Sequence, residues 1–221
     1  MTAFIAIEGG DGVGKNTIST LLTERLTALG FSVQKIDFPQ YTKTLAGRAL
    51  GDFLSGRFVG VAVKTAAALY ALDRFESAQM QGWRNGRKDY VIFDRYIASN
   101  VAYQSAKVRQ EQRPELQEWI LNLECNVYGL PKPDISILLR LPHGNAKELI
   151  DKKNARSYTE EKFDIHEANL DLQTKLRHIY DDMVERRVLG PWTTIDVLHG
   201  GSLRMPNDIA QEALEAILAR R

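Results

Sequence analysis

The segment Glu8-Gly9-Gly10-Asp11-Gly12-Val13-Gly14-Lys15-Asn16-Thr17 constrains the fold more than any other stretch of this chain. The apolar run Phe4-Ile5-Ala6-Ile7 precedes it and apolar residues at helical spacing follow (Ile18, Leu21, Leu22, Leu26, Leu29), which reads as strand, tight loop and helix. Glycine permits the sharp turns that bring backbone N–H groups onto phosphate oxygens, and the helix start adds its positive dipole end. Gly9-x4-Gly14-Lys15 has the spacing of a phosphate-binding loop: residues 9 to 17 wrap a donor's phosphates and Lys15 reaches the β- and γ-phosphates. The next position departs from the pattern. Asn16 stands where Ser or Thr ordinarily meets magnesium, and Thr17 comes one residue late. Two ways of holding the ion stay open: the Asn16 amide oxygen, or water and carboxylates elsewhere, since magnesium keeps several of its waters.

A chain of 221 residues, 44% of them hydrophobic, can bury a substantial core. With no linker-like stretch it is expected to form one domain, 1–221, with a mobile basic insert. A net charge of +1 argues against duplex nucleic acid or an anionic membrane as a bulk electrostatic partner. Cys125, the single cysteine, has no partner for an internal disulfide and is expected as a buried apolar residue in a reducing cytoplasm. No apolar run reaches the roughly 20 residues that cross a bilayer. The four histidines show no zinc-like spacing.

Alternation over 31–38 predicts a second strand, ended by Pro39, with Tyr41 in the loop beyond it. Helices are expected over 44–56 and, rich in alanine, over 59–82, where Tyr70 and Arg74 share a face. The run Tyr90-Val91-Ile92-Phe93 ends in Asp94-Arg95, as a central strand does when its C-terminal edge carries a ligand site. Asp94 suits magnesium there and Arg95 suits bidentate phosphate binding. Successive side chains on a strand point oppositely, so separate ligand roles are expected for the two. A polar-faced helix follows, with Asn100 and Tyr103 at three-residue spacing. Residues 112–128 predict an amphipathic helix burying Leu116, Trp119, Ile120, Leu123 and Val127. Strands over 135–141 and 192–197, a basic stretch over 147–163, a helix over 164–187 and a terminal helix over 209–218 complete the chain. Strands alternating with helices imply an α/β fold with a mostly parallel sheet covered on both faces.

The phosphate loop, Phe38-Pro39-Gln40-Tyr41, Leu69-Tyr70-Ala71-Leu72-Asp73-Arg74, Asp94-Arg95-Tyr96, the basic stretch and Asp164-x-x-Glu167, in this order, resemble the thymidylate kinase family, its bacterial members above all. The resemblance implies a P-loop NTPase-type three-layer sandwich with a five-stranded parallel sheet, ATP as donor, dTMP as acceptor, Mg2+, and a cytoplasmic homodimer that takes no nucleic acid. By position it implies that Asp11 lies between donor and acceptor and helps to order the metal or the acceptor sugar, that Lys15 binds donor phosphates, and that Asn16 and Asp94 attend the metal. It puts the thymine on Tyr70, the base edge and acceptor phosphate region on Arg74, and the monophosphate on Arg95. Asn100 and Tyr103 complete that pocket, Phe38 and Tyr41 close its other wall, and Glu167 approaches sugar or metal. His166 replaces an aromatic neighbour of the sugar found in some relatives. Some members carry a catalytic arginine inside the loop; Gly12 occupies that position here, so the cation is expected from a lid, Arg156 before Lys152 and Lys153. Two other readings stay open: a kinase for another nucleoside monophosphate, and a nucleotide-binding module that lost catalysis through Asn16.

Overall fold

The computed structural model describes residues 2–141 and 170–220. The expected basic lid at 147–163 with Arg156, and His166 and Glu167, lie outside the described residues. Strands β1 (Ala3–Glu8), β2 (Val33–Asp37), β3 (Tyr90–Asp94), β4 (Ile135–Arg140) and β5 (Trp192–Asp196) form one sheet in the order β2-β3-β1-β4-β5. Every pairing in it is parallel. Parallel neighbours need crossovers, which helices provide here. These are α1 (Lys15–Ala28), α2 (Leu45–Leu54), α3 (Val63–Gln81), α4 (Ile97–Ser105), α5 (Arg113–Leu121), α6 (Leu170–Glu185) and α7 (Pro206–Leu218).

Strand alternation feeds two hydrophobic layers. Ile5 and Ile7 of β1 join Ile18, Leu22 and Leu26 of α1 and Ile209, Ala213 and Ile217 of α7 on one face. Ala6, Val91 and Phe93 face the opposite layer, with Ala67 of α3, Val101 of α4, Ile120 of α5 and Leu176 and Ile179 of α6. Each fully buried aliphatic side chain of this kind contributes about 1.5–3 kcal/mol. The expected three-layer α/β sandwich is therefore what the chain forms.

Three local differences from expectation have physical causes. Helix α3 starts at Val63 because Gly60 turns left-handed (φ 71) and Ala62 is still extended. The helix expected through 128 changes winding: after α5 the chain continues as a π-turn, Asn122–Val127. Within it Glu124 is fully buried, and Val127 is 64% exposed where a regular stripe would bury it. A small hairpin, β6 (Leu198–His199) and β7 (Ser202–Leu203), follows β5 around Gly200-Gly201. Cys125 is half-buried against the core and free.

The five main strands end, in chain order, on Glu8, Asp37, Asp94, Arg140 and Asp196. Charge is thus concentrated on the C-terminal edge of the sheet, which is where the phosphate loop opens.

Candidate active site

The loop between β1 and α1 is shaped by glycine. At Gly9 (φ 140) a Cβ would stand 2.5 Å from the Leu139 carbonyl oxygen, so no larger residue fits there. Gly14 (φ 93) is the left-handed residue from which α1 departs. Lys15 is buried, and its Nζ donates to the carbonyls of Gly9 (3.1 Å) and Gly10 (2.5 Å), leaving one N–H of the ammonium for a ligand. Burial, reinforced by the Arg95 charge, lowers its pKa to about 7 against the pull of Asp11, Asp94 and Glu8. An anion brought to this loop restores the charge.

Arg95 follows the tip of β3 in a left-handed conformation, φ 66, which costs a non-glycine residue on the order of 1 kcal/mol. What holds it is a buried carboxylate. Glu8, at the end of β1, accepts from the Tyr96 backbone N–H (2.9 Å), Ser99 Oγ (2.6 Å) and Tyr180 Oη (3.1 Å), while Arg95 N donates to Ile7 O (3.0 Å). Burial raises the Glu8 pKa despite those donors. The turn so fixed delivers the Arg95 guanidinium to Asp11, with which it forms an ion pair, and to Tyr103 Oη at 3.1 Å. Tyr103 Oη also donates to Asp11 Oδ1 (2.6 Å), and Gln173 Nε2 donates to Oδ2 (3.0 Å). Burial would raise the Asp11 pKa, but Arg95 and Lys15 outweigh it and hold the carboxyl well below the usual range. Arg95 keeps further N–H groups for an anion, since a guanidinium carries five.

Beside this junction lies a pocket lined by Phe38, Pro39, Tyr41, Leu54, Tyr70, Arg74, Asn100, Tyr103 and Gln104, with Asp11, Arg95 and Ser99 joining it to the phosphate loop. Its polar wall is wired from below. Arg74 on α3 is buried and donates from Nε (2.5 Å) and Nη2 (2.7 Å) to Glu124 on the π-turn, and its guanidinium lies 5.8 Å from the centre of the Phe38 ring. Burial alone would lower the Arg74 pKa; the Glu124 carboxylate more than offsets it. Asn100 Nδ2 donates to Ala67 O (3.0 Å) and Glu124 Oε1 (2.8 Å). Both partners are acceptors, so the amide has one satisfactory orientation, which leaves Oδ1 buried with no partner among the described residues. Gln104 Nε2 is likewise buried and unpaired. Next to the Phe38 wall, Asp73 fixes the 40s loop by accepting from Gln40 N (3.0 Å) and from the Thr44 hydroxyl, the N-cap of α2.

On the donor side, Asp94 is nine-tenths buried and its carboxylate accepts no hydrogen bond from the described residues. Burial raises its pKa against the charges of Lys15, Arg95 and Lys35. No cluster of three or more His, Cys, Asp or Glu side chains is gathered for a metal among the described residues. An unpartnered buried carboxylate fits magnesium, which is commonly held by one or two carboxylates, waters and substrate phosphates. Asp11, by contrast, spends both oxygens on protein donors, and Asn16 Oδ1 accepts from Lys35 Nζ at 2.5 Å.

The structure therefore brings together Asp11, Lys15, Phe38, Tyr41, Tyr70, Arg74, Asp94, Arg95, Asn100 and Tyr103, with Asn16 and Thr17 exposed on the first turn of α1. Sequence reading passed over Glu8, Lys35, Asp73, Gln104 and Glu124 as parts of the site. Asp94 and Arg95 stand in different surroundings, separated by a left-handed turn rather than by strand alternation.

The family profile described as Thymidylate kinase matches residues 7–198. A thymidylate kinase of Mycobacterium tuberculosis is 33% identical over 194 residues, covering 86% of this chain and 90% of that protein. A probable thymidylate kinase of Pyrococcus abyssi is 31% identical over 207 residues, covering 89% and 91%. Among solved structures, thymidylate kinase from Candida albicans superposes with a TM-score of 0.73 at 22% identity, over 99% of this chain and 92% of the other. The Ehrlichia chaffeensis thymidylate kinase gives 0.66 at 20%, over 98% of both. A phosphate loop facing a buried, polarity-coded pocket across Arg95 is thus accompanied by family-wide sequence likeness, and this chain belongs to the thymidylate kinase family.

Proposed function

We propose the following division of labour for the thymidylate kinase reaction, in which the chain transfers the γ-phosphoryl of ATP to dTMP, giving dTDP and ADP. The observation that carries it is Asn100 Oδ1, unpaired among the described residues, beside Arg74, whose Nη1 donates to none of them. A thymine edge offers N3–H as donor and O4 as acceptor; the pocket offers acceptor and donor in return. Cytosine reverses both groups and would leave two buried polar atoms unpaired, the kind of mismatch that separates substrates strongly. Gln104 Nε2 supplies a further donor suited to the second carbonyl, O2. Tyr70 and Phe38 cover the ring faces, and Tyr103 crowds the sugar.

At the junction, Arg95 binds the dTMP phosphate with its remaining N–H groups while Asp11 and Tyr103 keep its plane fixed. Lys15 and the loop amides hold the β- and γ-phosphates of ATP. The acceptor is already an anion and needs no strong base, so alignment and charge neutralisation carry the chemistry. Asp94 would hold magnesium, which would supply charge neutralisation for the donor's phosphates.

The reading extends to a homodimer in the cytoplasm. The alanines Ala66, Ala67 and Ala71, at most 1% exposed, are already packed within the chain, so half-buried Ala68, Leu69 and Leu72 are the α3 residues left for a second copy. Sedimentation equilibrium measures this. The reaction is tested by ADP production with ATP and magnesium across dTMP, dUMP, UMP, CMP, AMP and dGMP, with Lys15→Ala as blank. Strong dTMP preference, absent in the blank, is expected. ATP binding without any acceptor-dependent ADP would favour the binding-module reading.

A further inference from the structure

Lys35 lies on β2, on the face that Val33 turns to the α1 layer, and its ammonium is placed beside the start of α1, next to the phosphate loop. It donates to Asn16 Oδ1 at 2.5 Å and to Thr20 Oγ1 at 2.9 Å, both on the first turns of α1. Asn16 is the position at which a phosphate loop of ordinary sequence presents the hydroxyl that meets magnesium. Both partners of Lys35 are neutral oxygens, and no carboxylate stands within ion-pair distance of it among the described residues. Its third N–H donates to none of the described residues. The nearby acidic groups are Asp94 on β3, whose carboxylate feels the Lys35 charge, and Asp37, two residues along β2 and in register with Asp94. A cation fixed by neutral oxygens at a helix N-terminus, where the field already favours anions, is arranged for an anion that the protein itself does not provide.

We propose that Lys35 is a built-in countercharge for the donor's phosphate chain, seated at Asn16 where other phosphate loops seat a magnesium ion. The departure at Asn16 then has a reason: an amide oxygen accepts from an ammonium as readily as a hydroxyl does, and it reaches further. The metal is left to the Asp94 side of the phosphates, and the loop retains part of its affinity without metal. This rests on the loop being the donor site of the kinase reading.

Calorimetric titration of inorganic tripolyphosphate and of ADP, each in EDTA and in excess magnesium, tests it on the full chain. Wild type is expected to bind both ligands in EDTA. Lys35→Met is expected to lose about tenfold or more of that affinity, as a lost charged hydrogen bond does, and under about threefold with magnesium present, where metal takes over the neutralisation. Lys35→Arg restores most of the loss. Unchanged affinity of Lys35→Met in EDTA, or an equal loss with and without metal, overturns the proposal. Should Lys35→Met fail to melt cooperatively, Asn16→Ala at an exposed position serves instead, with a smaller loss again confined to EDTA; no loss overturns the proposal. Tripolyphosphate binding involves no acceptor, so a failure of the dTMP kinase reading, seen as no acceptor-dependent ADP production, is distinguishable from a failure of this one.

Discussion

The two halves of the site solve recognition in opposite ways. On the proposed donor side the ligand would be met by backbone and by cations on short tethers: loop amides, Lys15 resting on its own loop carbonyls, and Lys35 resting on α1. On the proposed acceptor side it would be met by side chains whose polarity is fixed from behind, Arg74 and Asn100 through Glu124 and Ala67. Triphosphate presents charge in every direction, so accumulated positive charge suffices. A base presents a direction-dependent pattern of donors and acceptors, and reading it requires an amide that cannot flip. The contrast can be attacked from either end.

The largest effect belongs to charge at the transferring group. Lys15→Ala and Arg95→Ala are each expected to lower turnover about 100- to 1000-fold or more, the scale set by removing one preorganised electrostatic contact. They should differ in which ligand suffers: ATP affinity falls in the first and dTMP affinity in the second. Steady-state kinetics with each substrate varied separates them, and identical patterns would mean that the halves are not distinct.

Glu124 comes next because it serves both stability and polarity. Glu124→Ala leaves Arg74 buried and unpaired, so the chain should lose about 3–5 kcal/mol in chemical denaturation. In Glu124→Gln the Asn100 amide loses its strongest reason to face inward by Nδ2, so the ratio of kcat/KM for dTMP over CMP should collapse by more than kcat itself. A fall in kcat with the ratio intact would reduce Glu124 to packing. Asn100→Ala is milder, about 10- to 100-fold on kcat/KM for dTMP with little change in the KM for ATP, the worth of one buried hydrogen bond.

Sequence reading found the donor half more completely than the wiring of the acceptor half, for a physical reason. A phosphate loop is local: ten consecutive residues contain its glycines, its lysine and its helix start. Asp94 and Arg95 were also legible, because a buried parallel strand ending in charge marks the ligand edge of a sheet. Tyr70, Arg74, Asn100 and Tyr103 were legible as helix faces, but what orients them was not. Glu124 lies 50 residues from Arg74 and 24 from Asn100, within the π-turn that follows α5. Its one sequence signal is position: it follows Leu116 and Ile120 at four-residue steps, a carboxylate on a core stripe. Lys35 carried no signal beyond strand alternation, since its partners are set by how α1 lies across β2. The basic residues of 147–163 fall outside the described residues, so Arg156 rests on resemblance alone.

The smallest effect is also the one that separates the halves without mutating the acceptor side. Lys15 has a pKa of about 7 in the folded chain, below the 10.5 of an exposed lysine, because burial and Arg95 disfavour its charge. Between those values the unfolded chain binds the extra proton, so the Lys15 contribution to stability rises with pH across that window. Phosphate binding has the opposite sign: the donor's charge draws a proton onto Lys15, so ADP affinity should fall as pH rises above about 7, by less than tenfold per pH unit. At pH 8 to 9, above the last ionisation of ADP itself, calorimetry in two buffers of different ionisation enthalpy should register uptake of close to one proton per ADP. dTMP, bound across the pocket by Arg95, should take up far less. Lys15→Met should abolish the uptake while leaving the dTMP titration unaltered. Equal proton uptake for both ligands would mean that Lys15 answers to the whole site and that donor and acceptor are electrostatically one.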